Sequence, residues 1–449
     1  MTTQTPDDLP PTPSFGQALA YWLWLGCISF GGPAGQISIM HQDLVEKKRW
    51  ISERRFLHAL NYCMVLPGPE AQQLATYIGW LLHGKGGGLA AGGLFVLPSL
   101  ILLIVLSWIY LAFSNTPAIS GLLYGIKPAV TAIVLFAAWR IGRRTLRNAW
   151  LWSIAIAAFV AIFQFSLPFP AIILGAAACG WIGSHLAPAC FGAGAAHGTQ
   201  EKSYGRALID DDTPTPPHAF FDPVRCAKIA AISIAIWAIA ITMLSAKFGW
   251  DGLLTQMGWF FTKAALLTFG GAYAVLPYVF QGGVEQYQWL TAGQMIDGLA
   301  LGESTPGPLI MVTAFVGFVG AWNGAAFGPD QLFLAGAAGA LVVSFFTFLP
   351  SFALIFLGAP LIETTHGNLR LTAPLTGITA AVVGVIFNLA TFFAWHVYWP
   401  QGWSGRFEWP AALIGCAALY ALLWREVGVI RVIAACAVAG LGVFWMFSN

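Results

Sequence analysis

Residues 66–79 read LPGPEAQQLATYIG, and residues 305–318 read TPGPLIMVTAFVGF. Each places a Pro-Gly-Pro at the head of an apolar run: Pro67, Gly68 and Pro69 in the first, Pro306, Gly307 and Pro308 in the second. The two stretches are 239 residues apart. The same offset separates Phe30-Gly31-Gly32 from Phe269-Gly270-Gly271, and Trp50 from Trp289. Further on, Leu97-Pro98-Ser99 matches Leu349-Pro350-Ser351, and Gly125-Ile126 matches Gly377-Ile378, both at an offset of 252. Landmarks repeated in one order mark an internal duplication. Chance coincidence in a Gly-rich chain would not hold a Trp at the same spacing.

The composition around these landmarks sets the solvent. Of 449 residues, 58% are hydrophobic and 9% are charged, and mean hydropathy is +0.72. Soluble domains carry about 25% charged residues. So much apolar surface cannot be hidden from water, which excludes a cytosolic enzyme, a nucleic-acid binder and a disordered chain. The partner is a lipid bilayer, with no role for nucleic acid. The start, MTTQTPDDLPPTPS, lacks the positive region of a signal peptide, so insertion is expected to use the first apolar span. A span needs about 20 apolar residues. That rule predicts helices over 16–40, 87–112, 118–140, 149–166, 169–187, 227–247, 255–280, 332–360, 372–394, 409–424 and 427–447, with Pro-Gly-Pro-interrupted stretches at 56–83 and 293–322. The fold class is an all-α polytopic membrane protein: two homologous halves of about six segments each, read as inverted repeats, plus a linking helix. The expected divisions are a tail over 1–15, a first repeat over 16–187, a polar linker and connecting helix over 188–254, and a second repeat over 255–449.

Counting each interrupted stretch once gives thirteen spans, an odd number between corresponding helices, and hence inversion. The positive-inside rule gathers Arg140, Arg143, Arg144, Arg147, Lys202, Arg206, Arg225, Lys228, Arg370, Arg425 and Arg431 on the cytoplasmic side with the N-terminus and the linker. One loop resists. Residues 41–55 carry Lys47, Lys48, Arg49, Arg54 and Arg55, yet thirteen spans put them outside. A re-entrant Pro-Gly-Pro hairpin would return the loop to the inside, and would make the halves parallel unless another segment also changes; inversion is the favoured reading.

Duplicated halves with broken helices are the sequence mark of secondary transporters. Pro removes a backbone N–H and Gly adds freedom, so the helix opens there. The freed N–H and C=O groups are costly in hydrocarbon unless a cavity, water or ligand satisfies them. A half-helix that starts after Pro69 or Pro308 points its N–H groups and positive dipole end at that cavity, an anion site without a cation. The substrate-binding candidates are therefore Phe30, Gly31, Gly32, Pro67, Gly68, Pro69, Phe269, Gly270, Gly271, Pro306, Gly307 and Pro308. Gln72 and Gln73 could hydrogen-bond an oxyanion, or another helix. Lys263 or Lys127 could neutralise a divalent anion, with snorkelling to the interface the favoured reading for Lys127. Charges at membrane depth are rare and functional. Glu70 directly follows the first Pro-Gly-Pro and Glu303 lies three residues before the second, so both are candidates for proton coupling. Trp50 and Trp289 are expected in the interfacial belt. The seven Cys read as small core residues. The His spacing fits no metal site, and neither HExxH nor a phosphate-cradling GKS/T occurs. No catalytic residue, metal or cofactor is assigned. A homodimer is one assembly open to such a chain.

The motifs resemble a known family. The runs SFGGPAGQISIMHQDLVEKKRWISERRF and LPGPEAQQLATYIG are similar to the N-terminal half of the chromate ion transporters of the long-chain, bidomain type. TFGGAYAVLPYV and WLTAGQMIDGLALGESTPGPLIMVTAFVGF are similar to the C-terminal half. The resemblance covers roughly 16–187 and 255–394 plus the final helices, and departs mildly where Ala272 stands for Pro33. It implies a multi-pass protein of the bacterial inner membrane with antiparallel halves, which exports chromate, is driven by the proton-motive force and confers chromate resistance. The expected partners are the oxyanion and protons. Sulfate, also a tetrahedral dianion, is the nearest alternative substrate. A membrane enzyme acting on phospholipid or polyprenyl phosphate would need an interfacial polar constellation that the sequence does not offer.

Overall fold

The computed structural model describes residues 9–30, 32–113, 116–187, 204–214, 216–269, 271–364 and 372–447. Among them, regular structure is helical, apart from one isolated bridge between Ile51 and Ile209. The first half holds α1 (Phe15–Ile28), α2 (Gly32–Met40, running on as a π-helix His41–Lys47), α3 (Glu53–Cys63), α4 (Glu70–Phe113), α5 (Pro117–Thr145), α6 (Ala149–Phe165) and α7 (Phe169–Leu186). Helix α8 (Pro223–Phe248) links to the second half. There follow α9 (Leu253–Leu266), α10 (Ala272–Phe280, with a π-helix Gln281–Gln286), α11 (Ala292–Ser304), a 3-10 turn Leu309–Met311 leading into α12 (Val312–Asn323), then α13 (Leu332–Thr364), α14 (Thr372–Tyr398), α15 (Trp409–Leu423) and α16 (Val429–Phe447). Among the described residues, seven helices are long and apolar enough to cross a membrane.

The duplication extends to single backbone bonds. Phe30 N–H donates to Ile28 O as Phe269 N–H does to Leu267 O. Trp50 N–H donates to Leu44 O as Trp289 N–H does to Gly283 O. Arg49 and Gln288, again 239 apart, share a left-handed backbone with φ of 50° and 52°. Hydroxyl caps recur too: Ser52 opens α3 and Thr291 opens α11.

Most expected spans match observed helices within a few residues. Two do not. The stretch 16–40 is α1 and α2, and 255–280 is α9 and α10; each breaks at its Phe-Gly-Gly. Hydropathy alone reads through such a break, because two apolar residues of backbone-exposing turn barely lower the average. Conversely, 70–83 and 87–112 run together as α4, kinked where His83 and Gly84 leave helical φ/ψ.

The halves interlock. Helix α5 of the first half packs chiefly on α14, α15 and α16 of the second, while α14 packs on α5, α6 and α7. Paired glycines permit the closest crossings: a Cβ on Gly125 would collide with α16 at Cys436 and Gly440, and one on Gly377 with α7 at Ala176 and Gly180. Helices α4 and α13 meet between the halves. Helix α8 lies outside, with only Ile229 and Ile241 buried.

Three expectations need correction. Trp50 and Trp289 are buried, not interfacial. Trp50 packs edge-on against Tyr21, and Trp289 stacks on Tyr287 and Phe261; each pins the corner after a π-helix to the first helix of its half. Cys63 and Cys436 are core residues, but Cys27, Cys179 and Cys416 are exposed on helix surfaces; Cys190 lies outside the described residues. Finally, the linker is not free in water opposite loop 41–55. Leu208 and Ile209 N–H groups donate to Arg49 and Trp50 carbonyls, Ser52 Oγ donates to Asp211 at 2.7 Å, and Arg55 Nη2 donates to Thr213 O at 2.9 Å. Loop and linker share one end of the molecule.

Candidate functional site

The two breaks of each half dock on the breaks of the other. Gly68 N–H donates to Thr268 O, next to the second Phe-Gly-Gly, at 2.8 Å. Gly307 N–H donates to Ser29 O, next to the first, also at 2.8 Å. Both glycines need positive φ, 131° and 103°. The third landmark takes part in the same way: Ser351 Oγ lies 3.1 Å from where a Gly68 side chain would begin, and Ser99 Oγ 2.9 Å from that of Gly307. Each contact thus has its partner with the halves exchanged, the mark of a two-fold relation.

Side chains knit this junction. Gln36 of α2 donates to Ser29 O at 3.2 Å and to Gly307 O. Gln72 accepts from Ser351 Oγ at 2.7 Å and donates to Thr76 Oγ1 at 3.0 Å; Gln73 donates to Pro67 O at 2.8 Å. Ser29, Gln36, Gln72, Gln73 and Thr268 are wholly buried, while Phe30, Pro67, Glu70 and Phe269 beside them keep partial exposure. The Oγ atoms of Ser29 and Ser99 are buried without a partner among the described residues. Helix α4 starts at Glu70, so its first N–H groups have no intrahelical acceptor. Hydroxyl and amide donors at a helix N-terminus, with Gly backbone between them, can replace the water around an oxyanion.

Both candidate carboxyls converge on the start of α10. Glu70 Oε1 is 3.5 Å from where a side chain on Gly271 would begin. Glu303, on α11, accepts a hydrogen bond from Tyr273 Oη, two residues along from Gly271. Arg140 of α5 is near enough to act electrostatically on both Glu303 and Tyr273.

The structure therefore gathers Phe30, Gly32, Pro67, Gly68, Pro69, Glu70, Gln72, Gln73, Phe269, Gly271, Glu303, Pro306, Gly307 and Pro308 around one junction. Gly31 and Gly270 lie outside the described residues. Lys263 is placed elsewhere: it sits over the Trp259 ring at 5.8 Å and lines a cleft of about 240 Å³ with Asp251, Gln256 and Tyr287. Lys127 does more than snorkel, since its Nζ lies 3.6 Å from buried Asp297. Sequence reasoning missed Ser29, Thr268, Gln36, Tyr273 and Asp297, and used Ser99 and Ser351 only as markers. Ser29 and Thr268 carried a usable signal: both hydroxyls directly precede the duplicated Phe-Gly-Gly.

Interlocked helical halves whose breaks meet in the interior are the architecture of a multi-pass membrane transport protein. The comparison with known sequences makes the class specific. The chain belongs to the chromate transporter family, whose model matches residues 16–181 and again 255–441. It is 33% identical to a chromate transport protein of Pseudomonas aeruginosa, over 99% of this chain and 96% of that one. It is 30% identical to a chromate transport protein of Cupriavidus metallidurans over 84% of this chain and 82% of that one. A probable chromate transport protein of Synechococcus elongatus is 27% identical over 97% of each. No solved structure matches the chain significantly.

Proposed function

We propose that the chain is a secondary active transporter that exports chromate across a bacterial inner membrane, coupled to the proton-motive force, and so confers chromate resistance. The observation that carries this reading is the reciprocal docking of the breaks. It brings four backbone turns from two halves into one junction with two carboxyls and with two buried hydroxyls that have no partner among the described residues. Chromate is a tetrahedral dianion suited to hydroxyl and N–H donors. Glu70 and Glu303 supply groups able to take up and release a proton at membrane depth. Outward movement of two negative charges down a 100 mV inside-negative potential releases about 4.6 kcal/mol, at about 2.3 per charge, so export is favoured without a large pH gradient.

We also infer inverted repeats. Helix α1, with 14 residues, is about 21 Å long, short of the ~30 Å hydrocarbon core. Pro13 O meets His83 Nε2, and Trp80 O meets His218 Nε2. These contacts support two hairpins, α1–α2 and α3 with the first part of α4, each entering from the linker face and returning to it. Helix α8 starts beside Trp80 of the first half and ends beside Phe327 of the second. Its 26 residues are about 39 Å long, so equivalent hairpins open on opposite faces. The repeats take 16–187 and 255–449, with 188–254 between them.

Labelled chromate uptake into everted vesicles under an imposed proton gradient tests the reading. Gradient-dependent uptake, resistant to excess sulfate, is expected. Sulfate flux without chromate flux would make the chain a sulfate permease. Glu303→Gln is expected to abolish the response to the gradient while chromate binding persists; intact coupling in that variant removes Glu303 from the proton path.

A further inference from the structure

A second polar cluster lies away from the breaks. Asp297, in the middle of α11, is 2% exposed. Tyr110 Oη, from α4, donates to its Oδ2 at 2.9 Å, and Lys127 Nζ, from α5, lies 3.6 Å from the same oxygen. Its Oδ1 is buried with no partner among the described residues. A carboxylate accepts on both oxygens, so Oδ1 is the oxygen that can take a proton without displacing Tyr110 or Lys127 from Oδ2. The Lys127 side chain is 35% exposed against 3% for that of Asp297, so Lys127 joins the buried carboxyl to a surface open to water. The groups acting on Asp297 are few. Tyr110 and Lys127 are its electrostatic partners. Helix α12 contributes the Phe315 ring, packed on Tyr110 and over Gly298. Helices α14 and α16 also touch α11, but His396 bonds its own Phe392 carbonyl and Arg431 is exposed.

The cluster joins the halves, and only once. Tyr110 and Lys127 belong to the first half and Asp297 to the second. The positions equivalent to Asp297, Lys127 and Tyr110 hold His58, Thr379 and Ile362, so the duplication did not copy it.

We propose that Asp297 is a proton-operated latch between the halves, on the face remote from the linker. Ionised, it is held by Lys127 and Tyr110 and keeps α11 against α4 and α5. A proton from the water beside Lys127 binds Oδ1, the carboxylate becomes a neutral acid, the attraction to the ammonium ends, and the halves part on that face. The site at the breaks is thereby opened to the outside by the proton that enters. This rests on the proton-coupled reading above and names where the proton acts on the gate. Coupling of this kind is reciprocal, so the proton on Asp297 and chromate at the breaks each alter the other's binding.

Full-length protein in liposomes, with labelled chromate and the pH set separately on each side, tests it by two measurements: chromate–chromate exchange at equal pH, and uptake driven by a pH difference. For the natural chain, exchange is expected to quicken as pH falls on the Lys127 face. For Asp297→Asn, exchange is expected to continue with its pH dependence gone, while gradient-driven uptake falls about tenfold; Asp297→Glu is expected to restore the pH profile. A natural pH profile in Asp297→Asn overturns the latch. Should Asp297→Asn not fold, Lys127→Gln decides: a flattened profile with faster exchange at high pH supports the latch, and an unchanged profile overturns it. Gradient-independent uptake by the natural chain would instead overturn proton coupling, a result separable from the pH profile of exchange.

Discussion

Gly307 shows how much one position can carry. Its φ of +103° is a conformation that side chains other than Gly rarely adopt, and a Cβ there would lie 2.6 Å from Ser99 Cβ. Gly307→Ala therefore meets both strain, about 1–3 kcal/mol, and the Ser99 Cβ, which is fixed to the α4 backbone and cannot easily give way. Its N–H bond to Ser29 O would be pulled apart. Thermal unfolding in detergent is expected to show the loss, and chromate uptake to fall to background. Gly32→Ala is the contrast: φ is +70°, but nothing lies within 4 Å, so strain acts alone and part of the flux should remain. Equal activity in the two variants would mean that the contact with Ser99 is unimportant. Gln36→Leu tests the same junction from the side, since it leaves the Gly307 carbonyl without its side-chain donor, while Ser29 O keeps the Gly307 N–H. A buried acceptor left unpaired costs about 1–3 kcal/mol, measurable as a lowered unfolding temperature.

At the scale of elements, length and polarity were legible and breaks were legible only where Pro marked them. Pro67, Pro69, Pro306 and Pro308 announce their interruption because Pro cannot donate a backbone bond. Phe30-Gly31-Gly32 does not, since Gly is common in membrane helices and the flanking residues stay apolar. The repeat, not the hydropathy, marked it as a landmark and as a candidate for exposed backbone. Which glycines serve packing was hidden for a different reason: Gly125 matters through Gly440, 315 positions away, and no local pattern encodes that pair. The same holds for Asp297, whose partners Tyr110 and Lys127 come from the other half. Gly125→Leu would drive a branched side chain into Cys436 and Gly440 of α16. Overpacking typically costs about 1–3 kcal/mol, and here backbone atoms oppose it, so loss of monodisperse protein on size-exclusion chromatography is expected. Gly93→Leu, on α4 with nothing within 4 Å, should behave as the natural chain.

For the whole molecule, the difficulty of loop 41–55 and the crossing of the breaks turn out to be one question. If α1–α2 and α3 with the start of α4 are hairpins that enter and leave on the linker face, Lys47, Lys48, Arg49, Arg54, Arg55 and Lys85 all lie on that face. So do Arg140, Arg143, Arg144 and Arg147 at the far end of α5, because the rest of α4 and α5 each cross once. The positive-inside rule is then obeyed without giving up inversion, since α4, α5, α6, α7 and α8 make an odd number of full crossings between equivalent points. Single cysteines at Lys48, Asp212 and Gln286, in a chain freed of its natural cysteines, report this through a membrane-impermeant maleimide applied to intact cells and to everted vesicles. Lys48→Cys and Asp212→Cys should react only in everted vesicles, and Gln286→Cys only in intact cells. If Lys48→Cys instead reacts from the outside, the contact between Arg49 and Leu208 cannot persist in the membrane, and the linker must release its loop during transport. If Lys48→Cys and Gln286→Cys react from the same side, the halves are parallel, and the two-fold docking of Gly68 on Thr268 and of Gly307 on Ser29 would need an axis along the membrane normal.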